Sequence, residues 1–298
     1  MAVSVGATRP NVIAGSGRKA PSRRWQRTLV VVANHCILIG ICLALLLPFL
    51  FVIGVALMPD SEALGNGLFP HHLDWNNFHR VLNLFPFWHY LLNSVLYSGL
   101  AIVGVLVSSL PVAYALSRLN WRGREAVMLL ILATMMLPTA VTSVSLYSVY
   151  LNLGWIGSLK PLIVPMFFGD AFSIFLLRQF LRTIPAELTD AARVDGAGEF
   201  AIMIRVIVPL ARPALVAVAL FNLVYTWNDF FTPLVYSGSN SNAWTLTVAL
   251  SQFTTLQRGA LYNLQMAGTL LFMAPIIIVF LLAQRKFVEG VALTGTTG

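Results

Sequence analysis

The stretch IPAELTDAARVDGAGEFAIMIRVIVPLARPAL, Ile184–Leu215, decides how the rest of the chain is read. Pro185 suits a first helical turn, where its missing N–H costs nothing. Glu187 and Asp190 follow near the helix start and complement its dipole. Ala191 and Ala192 are strong helix formers with little bulk, so another surface can approach the backbone closely. Gly196 supplies the left-handed residue that ends such a helix. A second helix is expected from Glu199 to Val208, with Pro209 and Pro213 ending it and opening the next apolar run. Local physics thus predicts a helix-turn-helix. Two roles fit it: a docking element for another protein, or an ordinary interfacial helix joining two membrane spans.

On both sides of this stretch the chain turns apolar. Of its 298 residues 58% are hydrophobic and 10% charged, with a mean hydropathy of +0.79. A soluble domain carries about 25% charged residues, so a globular fold with a solvated surface is excluded. Apolar runs approach or exceed the roughly 20 residues that cross a ~30 Å hydrocarbon layer. They cover residues 29–58, 87–116, 126–146, 159–181, 213–236 and 266–283. The expected fold is an all-α polytopic membrane protein with six transmembrane helices. Residues 1–27, rich in Gly, Ser, Pro and Arg, are expected to form a disordered basic tail. Residues 28–290 would be the membrane domain, with the loop 183–212 on one face, and 291–298 a short C-terminal tail.

Charge orients the chain. With the N-terminus in the cytoplasm, 16 of the 19 Lys and Arg fall on the inner side, and only Arg80, Lys160 and Arg258 fall outside. The opposite orientation inverts the ratio, so both termini and the loop 183–212 are expected in the cytoplasm. The net charge of +8 is then a membrane-topology signal, and no nucleic-acid partner is implied. Cys36 and Cys42 lie in one apolar run and read as small apolar residues, not a disulfide or metal site. No cleavable signal peptide is expected, because the first apolar run is too long and lacks an A-x-A-like site. In the loop between the first two spans, His71, His72, Asp74 and His79 fit no standard zinc-ligand spacing. Trp88, Tyr90 and Trp155 suit an interfacial belt.

The Ile184–Leu215 stretch resembles the EAA motif of importer permeases in the ATP-binding-cassette superfamily. Asp190-Ala191-Ala192, then Gly196, then Val206-Ile207-Val208-Pro209 keep the motif's spacing, with conservative changes of Glu to Asp, Ile to Val and Leu to Val. Leu91-Leu92-Asn93-Ser94, Ala113 to Arg118, Phe175 to Phe180, Thr226 to Phe230 and Gln284 to Gly290 extend the likeness. Together they resemble the maltose-permease-like subunits of carbohydrate importers. The resemblance implies the type I importer fold, a second permease subunit, two ATP-binding-cassette ATPases and an extracytoplasmic solute-binding protein. It implies a multi-pass protein of the plasma (inner) membrane. It assigns coupling to the ATPases to Glu187, Asp190, Ala191, Ala192, Asp195 and Gly196. No cofactor is expected in this chain, since ATP and Mg would sit on the partner ATPase. Consistent with that, the chain holds no G-x-x-x-x-G-K-[ST] loop, and Gly15-Ser16-Gly17-Arg18-Lys19 is only a fragment of the tail.

For the solute path, intramembrane ionisable residues come first. Asp170 lies eight residues before Arg178, roughly 12 Å along a helix. Either it lines a cavity and favours neutral or cationic solutes, or it is a buried carboxylate bonded to a neighbouring helix. Asn93, Tyr97, Tyr114, Thr139 and Asn228 are the other polar candidates, each equally suited to helix packing. Asp229 is placed near the outer interface, Pro233 is expected to break the fifth span, and Pro138 to kink the third. An ion-coupled secondary transporter for a small polar solute would explain the spans and Asp170 but not the EAA-like stretch. A membrane enzyme would need clustered catalytic groups on facing spans, which the sequence does not supply.

Overall fold

The computed structural model describes residues 23–63, 70–84, 86–256 and 261–295. Helices and turns make up the described residues, with no strand among them. The chain divides into two units, Met1–Phe51 and Val52–Gly298. In the first, α1 (Arg23–Ala56) starts within the stretch expected to be a disordered tail and carries Pro48 inside it; residues 1–22 of that tail lie outside the described residues. Its window of hydropathy 3.1 is the most apolar of the candidate spans. A helix apolar on every face belongs in lipid or in protein, not in water.

The second unit is organised around one long helix. After α2 (Asp60–Ala63) and the short α3 (Asn76–Leu84) comes α4 (Phe87–Arg118), 32 residues and therefore roughly 48 Å long. Its buried stripe runs through Asn93, Tyr97, Ala101 and Gly104, spaced three or four apart as one helix face requires. Gly104 permits a close approach: a Cβ there would stand 2.7 Å from the Phe167 ring and 3.1 Å from the Met166 backbone. One turn on, Ser108 donates to the carbonyl oxygens of Gly104 (2.7 Å) and Met166 (3.1 Å). Small residues and hydroxyls of this kind hold helices together in lipid, where the hydrophobic effect offers little.

Three of the expected spans are discontinuous. α5 (Arg124–Thr134) and α6 (Thr139–Asn152) meet at 94°, with extended Pro138 opening α6; the expected kink is a full corner. α7 (Lys160–Ile163) runs into a 3-10 turn, Val164–Phe168, before Gly169 (φ 101°) breaks the chain and α8 (Ala171–Thr183) begins. The loop between the fourth and fifth spans holds α9 (Ala186–Val194), α10 (Glu199–Ile202), a π turn at Met203–Ile207 and α11 (Val208–Leu210). Pro209 therefore does not end the second loop helix. The wider π turn absorbs the hydrogen bond that its ring removes, and the chain bends by 79° only at Ala211. α12 (Arg212–Asn228) then stops at Asp229, and α13 (Phe231–Ser237) contains Pro233. The fifth span thus breaks four residues before its proline, at a pair of residues that sequence rules do not mark as breakers. α14 (Leu246–Leu256) and α15 (Tyr262–Gly295) complete the unit, α15 including residues 291–295 of the expected tail.

Among the described residues four helices are long and apolar enough to cross a membrane, or up to six spans if each bent pair counts as one. The largest buried cluster lies where α4, α8 and α10 to α12 converge, and includes Leu177, Leu181, Ile202, Ile207 and Val218. It forms the floor on which α9 rests.

Candidate coupling interface and solute path

α9 is built by local chemistry. Extended Pro185 opens it and Glu187 stands in its first turn. At the far end the Gly196 N–H donates to the Arg193 carbonyl and the Ala197 N–H to the Ala192 carbonyl, both at 3.0 Å. Gly196 has φ 82°. This is a Schellman ending, which demands a left-handed residue. Nothing lies within 4 Å of a Cβ placed on Gly196, so backbone conformation, not crowding, selects glycine.

One face of α9 lies on the floor. Thr189 is buried and donates to the Ala186 carbonyl (2.7 Å), and Ala192 packs against the core cluster. Ala192 is thus an internal contact, whereas Glu187, Asp190, Ala191, Asp195 and Gly196 face outward. Beside them stand exposed apolar side chains: Val194 is 88% and Phe200 75% exposed. Singly exposed apolar residues are ordinary, but two so nearly bare, on a small-residue helix end, make a surface suited to a protein partner.

The charges here are paired within the chain. Arg193 bonds Asp190 Oδ1 (2.7 Å) and Glu199 Oε1 (2.7 Å). Hydrogen bonding to Glu199, and then to Asp190, pushes the Arg193 guanidinium above its ordinary value. The Tyr114 hydroxyl donates to Glu199 Oε2 at 2.5 Å. Tyr114, a candidate for the solute path from sequence, therefore ties α4 to the loop that holds α9 and α10. Arg118, one turn further along α4, donates to the carbonyls of Leu181 and Ile184. Arg178, 5% exposed, donates to the Leu116 carbonyl (3.2 Å) and to both oxygens of Glu125 (2.6 and 2.8 Å). Sequence reading missed Arg193 and Glu199; their sign and i, i+6 spacing carried no recognisable signal.

The remaining path candidates do not form one cluster. Asn93 donates to the carbonyls of Asn242 (2.8 Å) and Trp244 (2.9 Å), and Ser94 accepts from the Leu246 N–H (2.8 Å), so both pin the loop before α14 to α4. Tyr97 donates to Asp229 Oδ2 (3.0 Å), whose other oxygen accepts from the Thr232 N–H (3.1 Å). Asp170 is neither mid-helix nor bonded to a neighbouring span through its carboxylate. It is the N-cap of α8, accepting from the Ser173 N–H at 2.8 Å, and its own N–H donates to Ser109. The reason is Gly169, which breaks the span just before it. Tyr225, 56% exposed and not singled out from sequence, stands on α12 four residues before Asp229. Asn228 is exposed and bonds its own helix at Val224 (2.8 Å), while Thr139 is exposed in the first turn of α6.

A separate polar network closes the opposite end of the unit. Arg80 makes a two-pronged pair with Asp60 (2.8 and 3.0 Å). Fully buried Asn77 donates to the carbonyls of Ala56 and Met58, and fully buried Asn263 to Met58 and to Asp60 Oδ1. Arg80 and Asn263 together hold the Asp60 carboxyl below the usual carboxylate range. Of the loop residues weighed as zinc ligands, Asp74 accepts from the Asn76 N–H and His79 bonds Asn83. No group of three or more metal-ligating side chains occurs among the described residues.

Comparison with known proteins agrees with this geometry. Residues 102–292 match the family described as binding-protein-dependent transport system inner membrane component. The arabinooligosaccharides transport permease AraQ of Halalkalibacterium halodurans is 31% identical over 84% of this chain and 91% of its own length. The diacetylchitobiose uptake permease NgcG of Streptomyces coelicolor is 28% identical over 87% and 86%. The sn-glycerol-3-phosphate permease UgpE of Yersinia pestis is 30% identical over 89% and 96%. Among solved structures, a chain of a bacterial ABC transporter that imports the acidic polysaccharide alginate aligns with TM-score 0.74 and 26% identity, over 90% of this chain and 99% of that one. The type I importer fold is therefore the fold of this protein, a multi-pass permease component of a binding-protein-dependent ABC importer, and the ion-coupled reading gives way. The chain belongs to the family of binding-protein-dependent transport system inner membrane components.

Proposed function

We propose that this chain is one of two permease subunits around a central path for a sugar or oligosaccharide. Two ATPase subunits dock on the coupling helices of the two permeases, one of them on α9 of this chain, and they bind and hydrolyse ATP with Mg. An extracytoplasmic binding protein delivers the solute. Both termini and α9 face the cytoplasm, as the Lys and Arg distribution favours. ATP binding shifts the population between inward- and outward-open states by its differential affinity for them. The observation that carries this reading is the Schellman-ended α9, which sits on the buried floor and presents Glu187, Asp190, Ala191 and Val194 outward, with exposed Phe200 of α10 beside them. The sugar class rests on the relatives named above, two of them oligosaccharide permeases. Asp170 gives little ground for preferring neutral or cationic solutes, because its charge is engaged at the start of α8. Glu187, Asp190, Ala191, Asp195 and Gly196 would meet the ATPase, with Ala192 supporting them from inside. Asn228, Thr139, Tyr225, Asp170 and the Tyr97–Asp229 pair would line or shape the path.

The test is purification of the tagged chain from its native membrane in mild detergent, followed by mass spectrometry. A second permease and an ATPase are expected to co-purify. Gly196→Trp is expected to lose the ATPase while keeping the second permease, since it fills the open space at the end of α9. Recovery of the chain alone, or only with itself, would overturn the proposal.

A further inference from the structure

The coupling helix α9 hangs between two joints. Before it, Ile184 and Pro185 are extended; after it, Gly196 is left-handed and Gly198 extended. On packing alone, a helix of nine residues that lays down little more than Thr189 and Ala192 would pivot on those joints when pushed. Two side chains of α4 take up that slack. Tyr114 grips the segment after α9, through Glu199 and on to Arg193. Arg118 grips the segment before it, through the carbonyls of Leu181 and Ile184. The two are four residues apart and so share one helix face. At its other end the same helix holds the loop before α14 through His89, Asn93 and Ser94, and Asp229 through Tyr97.

We infer that Tyr114 and Glu199 are positioning residues that fasten the coupling segment to α4, so that a push on α9 moves α4 and, with it, the outer loop 238–245. The inference rests on the proposed docking of an ATPase at α9. Glu199 is the hub: its two oxygens serve Tyr114 on one side and Arg193 on the other, and Arg193 in turn holds Asp190. Hydrogen bonds to charged groups are the stronger kind and are short-ranged, so the link transmits displacement only while both partners stay in place. Tyr114→Phe keeps the ring in the core cluster and removes only the hydroxyl. Glu199→Gln keeps the shape and removes the charge that Arg193 needs.

The experiment uses the whole complex purified from its native membrane into lipid nanodiscs. The background carries Cys36→Ala and Cys42→Ala, and Ser239→Cys in the outer loop is labelled with an environment-sensitive fluorophore. ATP with Mg is the added probe. Two quantities are read: the rate of ATP hydrolysis and the amplitude of the fluorescence change on adding ATP. Tyr114→Phe and Glu199→Gln are each expected to keep hydrolysis within twofold and cut the fluorescence amplitude at least fivefold. The double variant is expected to do no worse than either single one, because both break one link. An unchanged amplitude overturns the inference. So do effects that multiply in the double variant, and so does loss of the ATPase subunits, which would make these residues part of the dock. If the parent complex contains no ATPase and does not respond to ATP, the docking reading itself fails before any variant is compared.

Discussion

Two polar networks brace the helical unit, and they are built differently. At the end nearest α9, Arg178 is 5% exposed and ties α8 to the end of α4 and the start of α5 through Leu116 and Glu125. Its links span 53 and 62 residues, and a full charge does the holding. At the other end, Asn77 and Asn263 tie the chain after α1 to the start of α15, across as many as 205 residues. There, buried amides serve backbone carbonyls, and the ion pair of Asp60 with Arg80 sits at the rim with side chains 44% and 32% exposed. The contrast teaches that the brace near α9 depends on a counter-charge, while the other, the outer brace in the orientation proposed above, depends on carbonyls having a donor.

Glu125→Ala should have the largest effect. It strands a buried guanidinium, and removing one partner of such a pair costs about 3 kcal/mol, the low end of the usual range because Glu125 itself is exposed. Thermal unfolding followed by fluorescence-detected size exclusion should show a large fall in midpoint. A cost near that of a surface pair, about 0.5 kcal/mol, would remove the contrast. Asn77→Ala should come second, at about 2 kcal/mol, by leaving the Ala56 carbonyl without its donor. That loss should be the same in low and high salt, because no charge is removed; a salt-dependent loss would mean the outer brace is electrostatic after all. The smallest effect concerns acid. Asp60 has a lowered pKa in the folded protein, so its contribution is fully present above the unfolded value, about 3.9, and fades as pH falls through the lower folded value. Midpoints measured downward from pH 5 should drop first below about pH 4, and Asp60→Asn should flatten that part of the profile. A drop already complete at pH 5 would assign the acid sensitivity to another group.

Much of this was legible from local signals. Pro185, Gly196 and the acidic residues between them predict α9 and its end, because every bond involved lies within six residues. Pro138 marks the corner in the third span for the same reason. Tyr114 was misplaced because its partner lies 85 residues away, and no periodicity reports which end of a long helix a tyrosine faces. Asp170 was misread because the helix was assumed to continue through Gly169; an isolated glycine in an apolar run is tolerated in a helix, and its left-handed φ of 101° shows only in the structure. The break at Asp229 carries no proline or glycine at all, and the carboxylate there accepts from both the Thr232 N–H and Tyr97, the latter 132 residues away. The networks of Arg178 and Asn263 were invisible for that reason too: polar pairs distant in sequence leave no spacing to count.

The interruption of the fourth span at Gly169 has a consequence for hydration. A helix that stops and restarts at bilayer depth has two ends whose peptide groups hydrocarbon cannot satisfy. Asp170 caps one N–H, and Ser108 and Ser109 supply bonds to the neighbouring backbone. The rest of that demand falls on water or on a facing subunit. A chain folded this way cannot leave that depth facing lipid: it needs a polar neighbour there, whether or not a solute is present.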